Sequence, residues 1–318
     1  MSFMEFKPLV SIIIPVYNGS NFMREAIDSA ISQTYENIEV IVVNDGSTDN
    51  TEEIALSYGE KIRYFKKENG GVSSALNLGI KEMHGKYFSW LSHDDKYAPT
   101  KIEKQIEKIL KCNDSKTICL CSSQHIDKDS KIIKEKNKDK YDCEKKYSWQ
   151  EGLLDVLYNG SYNGCSLLIP KIAFKDAGLF NESMRYCQDL FMWINIYLAE
   201  YSMIYVNEKL VYGRIHNGQL TQTGRDIFYS DCESMGGVLL PELIKKSSKE
   251  YNLIYAFALY NAKYNNKTVV KNCIEKGKEA KLLNPNKMIK IRCMAFYGGI
   301  RPFIRKIYYR LFKKIKTT

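Results

Sequence analysis

An α/β fold built on a mainly parallel sheet is the architecture this 318-residue chain predicts. Over the first 125 residues, short runs rich in β-branched residues alternate with segments of helical spacing. Each run is nearly continuous in apolar residues, as strands buried on both faces are. Carboxylates gather just after the runs, where open α/β sheets bind their ligands.

The strands are read at Val10 to Ile14, Ile38 to Val43, Ile62 to Phe65, Tyr87 to Leu91 and Thr117 to Cys121. Between them, Phe22 to Ser32, Glu52 to Tyr58, Val72 to Met83 and Thr100 to Leu110 repeat apolar residues at helical steps, with Ser20, Asp49 and Thr100 where N-caps belong. Asp127 to Lys146 is a mixed-charge run containing eight lysines, read as a solvated hairpin or loop. A strand at Cys165 to Ile169, a helix at Leu190 to Glu200 and a strand pair near Ile204 to Val211 restore the pattern. From Asp226 onward no strand pattern recurs, and Asn252 to Leu283 has helical spacing. The expected division is an α/β domain over 1–225 and a helical module over 226–318.

Composition narrows the class. With 44% hydrophobic and 26% charged residues the chain is neither disordered, collagen-like nor a disulfide scaffold. The net charge of +10 is concentrated: no acid follows Glu279, whereas eleven Lys and Arg do, leaving 36 basic against 37 acidic residues before them. The charge therefore speaks of a partner for the tail alone. Residues 300–316 place Ile300, Phe303, Ile304, Ile307, Leu311 and Ile315 at steps of three and four among basic residues. Such a pattern suits a helix lying on anionic lipid or one packing on the protein body. No basic recognition face or known motif indicates nucleic acid. Nine cysteines without C-x-x-C spacing read as reduced thiols, and no stretch of about 18 apolar residues would span a bilayer. The expected location is cytoplasmic, peripheral on the inner face of the membrane.

The second strand runs into Asn44-Asp45-Gly46-Ser47-Thr48-Asp49 and the fourth into Ser92-His93-Asp94-Asp95; a later helix begins at Gln188-Asp189. Two adjacent carboxylates at a buried strand end repel one another unless a cation or several donors neutralise them. Oxygen-only ligands of this kind suit Mg²⁺ or Mn²⁺. Asn69-Gly70-Gly71, preceding a helix, can aim backbone N–H groups at an anion. Dinucleotide fingerprint, phosphate loop, zinc-protease signature and nucleophile elbow are all missing.

In this order, Val10-Ser11-Ile12-Ile13-Ile14-Pro15-Val16-Tyr17-Asn18, Val42 to Asp49, Leu91 to Asp95, Gly178 to Glu182, Gln188-Asp189 with Trp193, and Tyr212-Gly213-Arg214-Ile215-His216 resemble the family 2 glycosyltransferases over roughly residues 8 to 220. The resemblance implies a GT-A type fold and an inverting, metal-dependent transfer of a hexose or N-acetylhexosamine from a UDP-sugar to a glycan or lipid-linked acceptor. On it, Pro15, Val16 and Tyr17 line the base pocket, Asp45 accepts from uracil N3–H, Asp94 holds the ribose, Asp95 the metal, and Asp189 is the general base. His216 would meet the metal or diphosphate, while Lys67, Asn69 and Gly71 flank the nucleotide. The chain departs from the family's usual residues at Ser92, Leu76 and Gln188, where an acid, an Arg and a Glu are common. Lys66, Lys67 and Arg63 are candidates to replace the lost Arg, and acceptor contacts are expected from Asn159 to Gly164 and Met184 to Cys187. A sugar nucleotidyltransferase and a non-catalytic nucleotide-sugar binder are the rival readings.

Overall fold

The computed structural model describes residues 7–133, 141–216, 225–248 and 250–299. The basic segment 300–316 lies outside the described residues. The chain divides into two compact units, one of residues 1–152 and 161–224, the other of 153–160 and 225–318.

The first unit holds an eight-stranded sheet in the order β3-β2-β1-β4-β7-β6-β8-β5. β1 (Val10–Val16), β2 (Ile38–Asn44), β3 (Arg63–Lys66) and β4 (Tyr87–Trp90) pair in parallel, as continuous apolar runs joined by helices should. β7 (Leu167–Pro170) lies antiparallel to both β4 and β6 (Thr117–Ile126), and the short β5 (Lys96–Tyr97) is antiparallel to β8. The expected strand pair near residue 204 is instead one strand, β8 (Ser202–Arg214), parallel to β6. Its register slips where Cys121 faces Val206 and the next residue, Ser122, faces Lys209. The exposed Asn207 and Glu208 occupy that bulge, which explains why the sequence reads as two strands with a turn.

Alternation along β1 sorts the helices to two faces. Val10, Ile12, Ile14 and Val16 pack in one cluster with α1 (Met23–Ile31), part of α2 (Thr51–Leu56) and the Ile102, Ile106 and Ile109 stripe of α4 (Lys101–Cys112). On the other side α3 (Val72–Glu82) packs against Ile13. There Phe88, Phe174, Phe180, Trp90 and Trp193 form an edge-on aromatic cluster that seats α7 (Gln188–Leu198). α5 (Trp149–Asn159) and the short α6 (Ala173–Ala177) flank β7 in sequence.

Caps differ from expectation. α1 is preceded by Phe22, not Ser20, and Thr100 makes no side-chain cap bond. Asp49 accepts from the Thr51 N–H and hydroxyl and, across the loop, from the Ser20 N–H, so it joins the start of α2 to the turn after β1.

Described by itself, the second unit contains α8 (Arg225–Lys246), α9 (Leu253–Lys263), α10 (Lys267–Glu279) and a helix α11 over 285–299. Asn252 and Asn266 cap α9 and α10 through their side chains. Among the described residues no helix is long and apolar enough to cross a membrane.

Candidate active site

The site is assembled at the carboxyl ends of β1, β2 and β4. The loop after β1 is clipped to the loop after β2: the Asn18 N–H donates to Ser47 Oγ at 2.9 Å, and the Thr48 N–H donates to Asn18 Oδ1 at 2.8 Å. Pro15 and Val16 are buried at the end of β1, while the Tyr17 ring is 49% exposed.

Asp45 is 2% exposed, yet its carboxylate is well supplied with donors. Lys67 Nζ and the Gly70 N–H reach Oδ1 at 2.8 and 2.9 Å, and the Gly71 N–H reaches Oδ2 at 2.7 Å. The Asn69 amide holds the Asp45 carbonyl at 2.9 Å. The N–H groups of the Asn69-Gly70-Gly71 turn therefore do meet an anion, and that anion is Asp45 itself. A carboxylate offers about four acceptor positions; three are filled, and one on Oδ2 is left. Gly71 has φ +88°, and a Cβ there would stand 2.2 Å from Arg185 Nη1. The guanidinium thus lies directly against the turn. Lys66 and Arg63 are engaged elsewhere, with Glu52 and Glu39 respectively. Of the candidates to replace the missing Arg, Lys67 alone stands here, joined by Arg185, which the sequence places only within the stretch expected to contact the acceptor.

Asp94 and Asp95 follow β4. His216 Nε2 lies 3.0 Å from Asp94 Oδ2, and the His93 ring packs on Gly19, where a Cβ would be 2.5 Å from it. Burial lowers the pKa of His93. Asp95 is 7% exposed; it accepts from the Arg214 backbone N–H at 2.9 Å and faces the Cys165 thiol at 3.3 Å. Burial first, and the Asp94 charge second, push its pKa up.

The fully buried Arg214 side chain anchors this turn: Nε donates to the Asp94 carbonyl, Nη1 to the Asp127 and Lys128 carbonyls and the Ser130 hydroxyl, and Nη2 to Glu25. Its guanidinium also stacks over Phe22, 4.5 Å from the ring centre. Arg214→Met should lower unfolding stability by about 3 kcal/mol, because it removes at once the donors that a wholly buried guanidinium gives to several partly buried acceptors. Urea unfolding checks this, and an unchanged midpoint would deny Arg214 the anchoring role.

Asp189 is the second residue of α7. Ser161 Oγ donates to Oδ2 at 2.7 Å and the Leu190 N–H to Oδ1 at 2.6 Å. Asp189 is partly exposed yet its carboxylate is closely surrounded by protein. That burial raises its pKa against the two hydrogen bonds, which lower it. Beside it the Gln188 side-chain carbonyl is buried without a partner among the described residues.

Contacts and short steps along the chain relate several of these groups. Asp45 binds Gly71, Gly71 abuts Arg185, and Arg185 is four residues before Asp189. Asp189 binds Ser161, and four residues on Cys165 touches Asp95.

A divalent cation fits the Asp94, Asp95 and His216 donors chemically: it would ionise the buried Asp95 and offset the repulsion between the carboxylates. Among the described residues no group of three or more His, Cys, Asp or Glu is placed to hold a metal ion by itself.

Residues 11–163 match the family model described as Glycosyl transferase family 2. The chain is 52% identical over 245 residues to an uncharacterized glycosyltransferase of Rickettsia typhi, covering 76% of this chain and 74% of that one. It is 30% identical over 218 residues to the chondroitin synthase of Pasteurella multocida, spanning 67% of this chain but 21% of that enzyme. The fold resembles that of S. aureus TarS 1-349, whose structure was solved in complex with UDP-GlcNAc, with a TM-score of 0.63 at 18% identity over 89% of this chain and 79% of that one. The fold is of the GT-A kind with C-terminal helices added.

Proposed function

The chain belongs to glycosyl transferase family 2, and from that membership we propose that it moves a hexose or N-acetylhexosamine from a UDP-sugar to a hydroxyl of a glycan or lipid-linked acceptor, with inversion and with Mn²⁺ or Mg²⁺. The observation that supports this reading is how three carboxylates are held: Asp45 by Lys67, Gly70 and Gly71 with the Arg185 guanidinium against the same turn, Asp189 by Ser161, and Asp95 by the Arg214 N–H beside Cys165.

Each residue has a task its surroundings suit. Lys67, Gly70 and Gly71 fix the Asp45 carboxylate so that its remaining acceptor position takes the uracil N3–H. Tyr17 offers an exposed ring beside the base. Asp94 receives a ribose hydroxyl, and Arg185 supplies positive charge where the family's usual Arg is replaced by the buried Leu76. Asp95 and His216 would hold the metal, which when bound neutralises charge on the leaving diphosphate. Asp189 takes the proton of the acceptor hydroxyl as its oxygen bonds to the anomeric carbon and the bond to UDP breaks on the opposite face. A single displacement of this kind inverts the anomeric centre. The acceptor is read as part of a surface polysaccharide or its lipid-linked precursor, with the basic tail holding the enzyme at an anionic membrane surface.

The test is UDP release from a panel of UDP-sugars with acceptor mixtures, with metal and with chelator, alongside binding of UDP and CDP. One donor should turn over with metal, UDP should bind more tightly than CDP, and Arg185→Ala should weaken UDP binding by about tenfold. Equal UDP and CDP affinity would remove the Asp45 assignment. Tight UDP binding without turnover of any donor, with acceptor present, would favour the non-catalytic reading.

A further inference from the structure

The outward side of α11 (285–299) is built unlike a solvated helix. Asn284 caps it through its side chain and Pro285 opens it, so its start is fixed. One side packs within its own unit, where Ile291 is fully buried and Gly298 lies against the Ala262 carbonyl. On the opposite side Ile289, Cys293 and Phe296 follow one another at steps of four and three, the spacing of a single helical stripe. Ile289 is 56% exposed, Phe296 72% and the neighbouring Tyr297 50%, with exposed Lys290 and Arg292 on either flank. Large apolar side chains thus occupy the middle of a solvent-facing surface and cations its edges, the arrangement of an interfacial helix.

An apolar stripe alone would equally suit a protein partner. The charge decides the occupant: from Lys281 on the sequence carries eleven Lys and Arg and no acid. An apolar stripe framed by cations matches the boundary of an anionic bilayer, where acyl chains lie beneath a layer of phosphates. We propose that this face of 285–299 docks on anionic lipid, with Ile289, Phe296 and Tyr297 entering the headgroup boundary and Lys290 and Arg292 meeting lipid phosphates. The proposal deepens the reading of a lipid-linked acceptor, since it gives the membrane contact a defined surface besides the tail. Vesicle binding needs neither donor nor acceptor, so its failure leaves the transfer reading untouched.

The test is co-sedimentation of the full chain with vesicles of phosphatidylcholine alone and of phosphatidylcholine with phosphatidylglycerol. Binding should require the anionic lipid and weaken with added salt. Lys290→Gln with Arg292→Gln should cost about 25-fold in partitioning, at about fivefold per charge. Phe296→Ser with Tyr297→Ser should lower it by about tenfold or more. These side chains are exposed, so thermal unfolding and UDP release in solution should not change. A polarity-sensitive label on the exposed Cys293 should shift to the blue on anionic vesicles alone. Wild-type binding that both double variants retain would overturn the proposal and place attachment in 300–316. Equal binding to both vesicles, or to neither, would overturn it as well. So would a dimer that Phe296→Ser with Tyr297→Ser dissolves while vesicles are ignored, since the face would then belong to a second copy.

Discussion

Asp189→Asn is expected to lower kcat by about 10³-fold and leave UDP affinity within about twofold, because it removes a base while keeping the shape that Ser161 and the start of α7 hold. The amide still fits between the Ser161 hydroxyl and the Leu190 N–H. It cannot accept the acceptor's proton. The pH profile offers a second readout. Burial raises the Asp189 pKa, so the ascending limb of kcat should lie above the ordinary carboxylate range, the active form being the deprotonated one. The Ser161 hydrogen bond favours the charged form and lowers that pKa. Ser161→Ala should therefore move the limb to still higher pH and slow the reaction below it. A limb that stays put in Ser161→Ala would separate Asp189 from the titrating group. Unimpaired turnover in Asp189→Asn would remove it as the base.

Asp95→Ala should abolish metal-dependent turnover, by about 10³-fold or more. It should also erase the difference between UDP binding with Mn²⁺ and with chelator. Asp95→Asn is the more telling variant, since it keeps an acceptor for the Arg214 N–H and so protects the turn that carries Asp94. Its loss of activity, at an unfolding midpoint near that of the parent, assigns the effect to the missing charge. Wild-type UDP binding and turnover that chelator leaves unchanged would overturn the metal assignment. Residual activity in Asp95→Asn comparable to the parent would move that role to another group.

The aspartates were legible because each stands directly after an apolar strand or at a helix start, where sequence order and structural position coincide. Their supports were not, because those come from far along the chain. Ser161 reaches Asp189 from 28 residues away, out of a stretch the sequence assigns only to acceptor contacts. Arg185 comes from the segment between Phe180 and Trp193, whose rings pack edge-on, and meets Gly71 from far along the chain. Arg214 stands in the Tyr212 to His216 motif, where nothing in the sequence marks it as buried whole. Lys101, at the start of an amphipathic helix, has nothing local to mark it as fully buried; it lies under the sheet, hydrogen-bonded to Ser89 and set over the Tyr97 ring. The single β8 was misread for a related reason: a bulge of exposed polar residues has the composition of a turn, and only pairing with β6 keeps the strand continuous.

The bond from the Arg214 N–H to Asp95 closes across 119 residues, and it links the assembly of the site to the order of synthesis. β1 to β4 can pair as soon as they emerge, but β5 and much of β6 have no β8 to pair with until residue 214 has been made. At ribosomal rates of about 5–20 residues per second, that wait lasts about 6 to 24 s after Asp95. Through it, a nascent chain holds two adjacent carboxylates with neither the N–H nor the guanidinium that later binds their turn, and two strand edges lacking their neighbour. Such edges are the surfaces that mispair. β8 is therefore both the anchor of the Asp94-Asp95 turn and the step at which folding of this unit is most exposed to error.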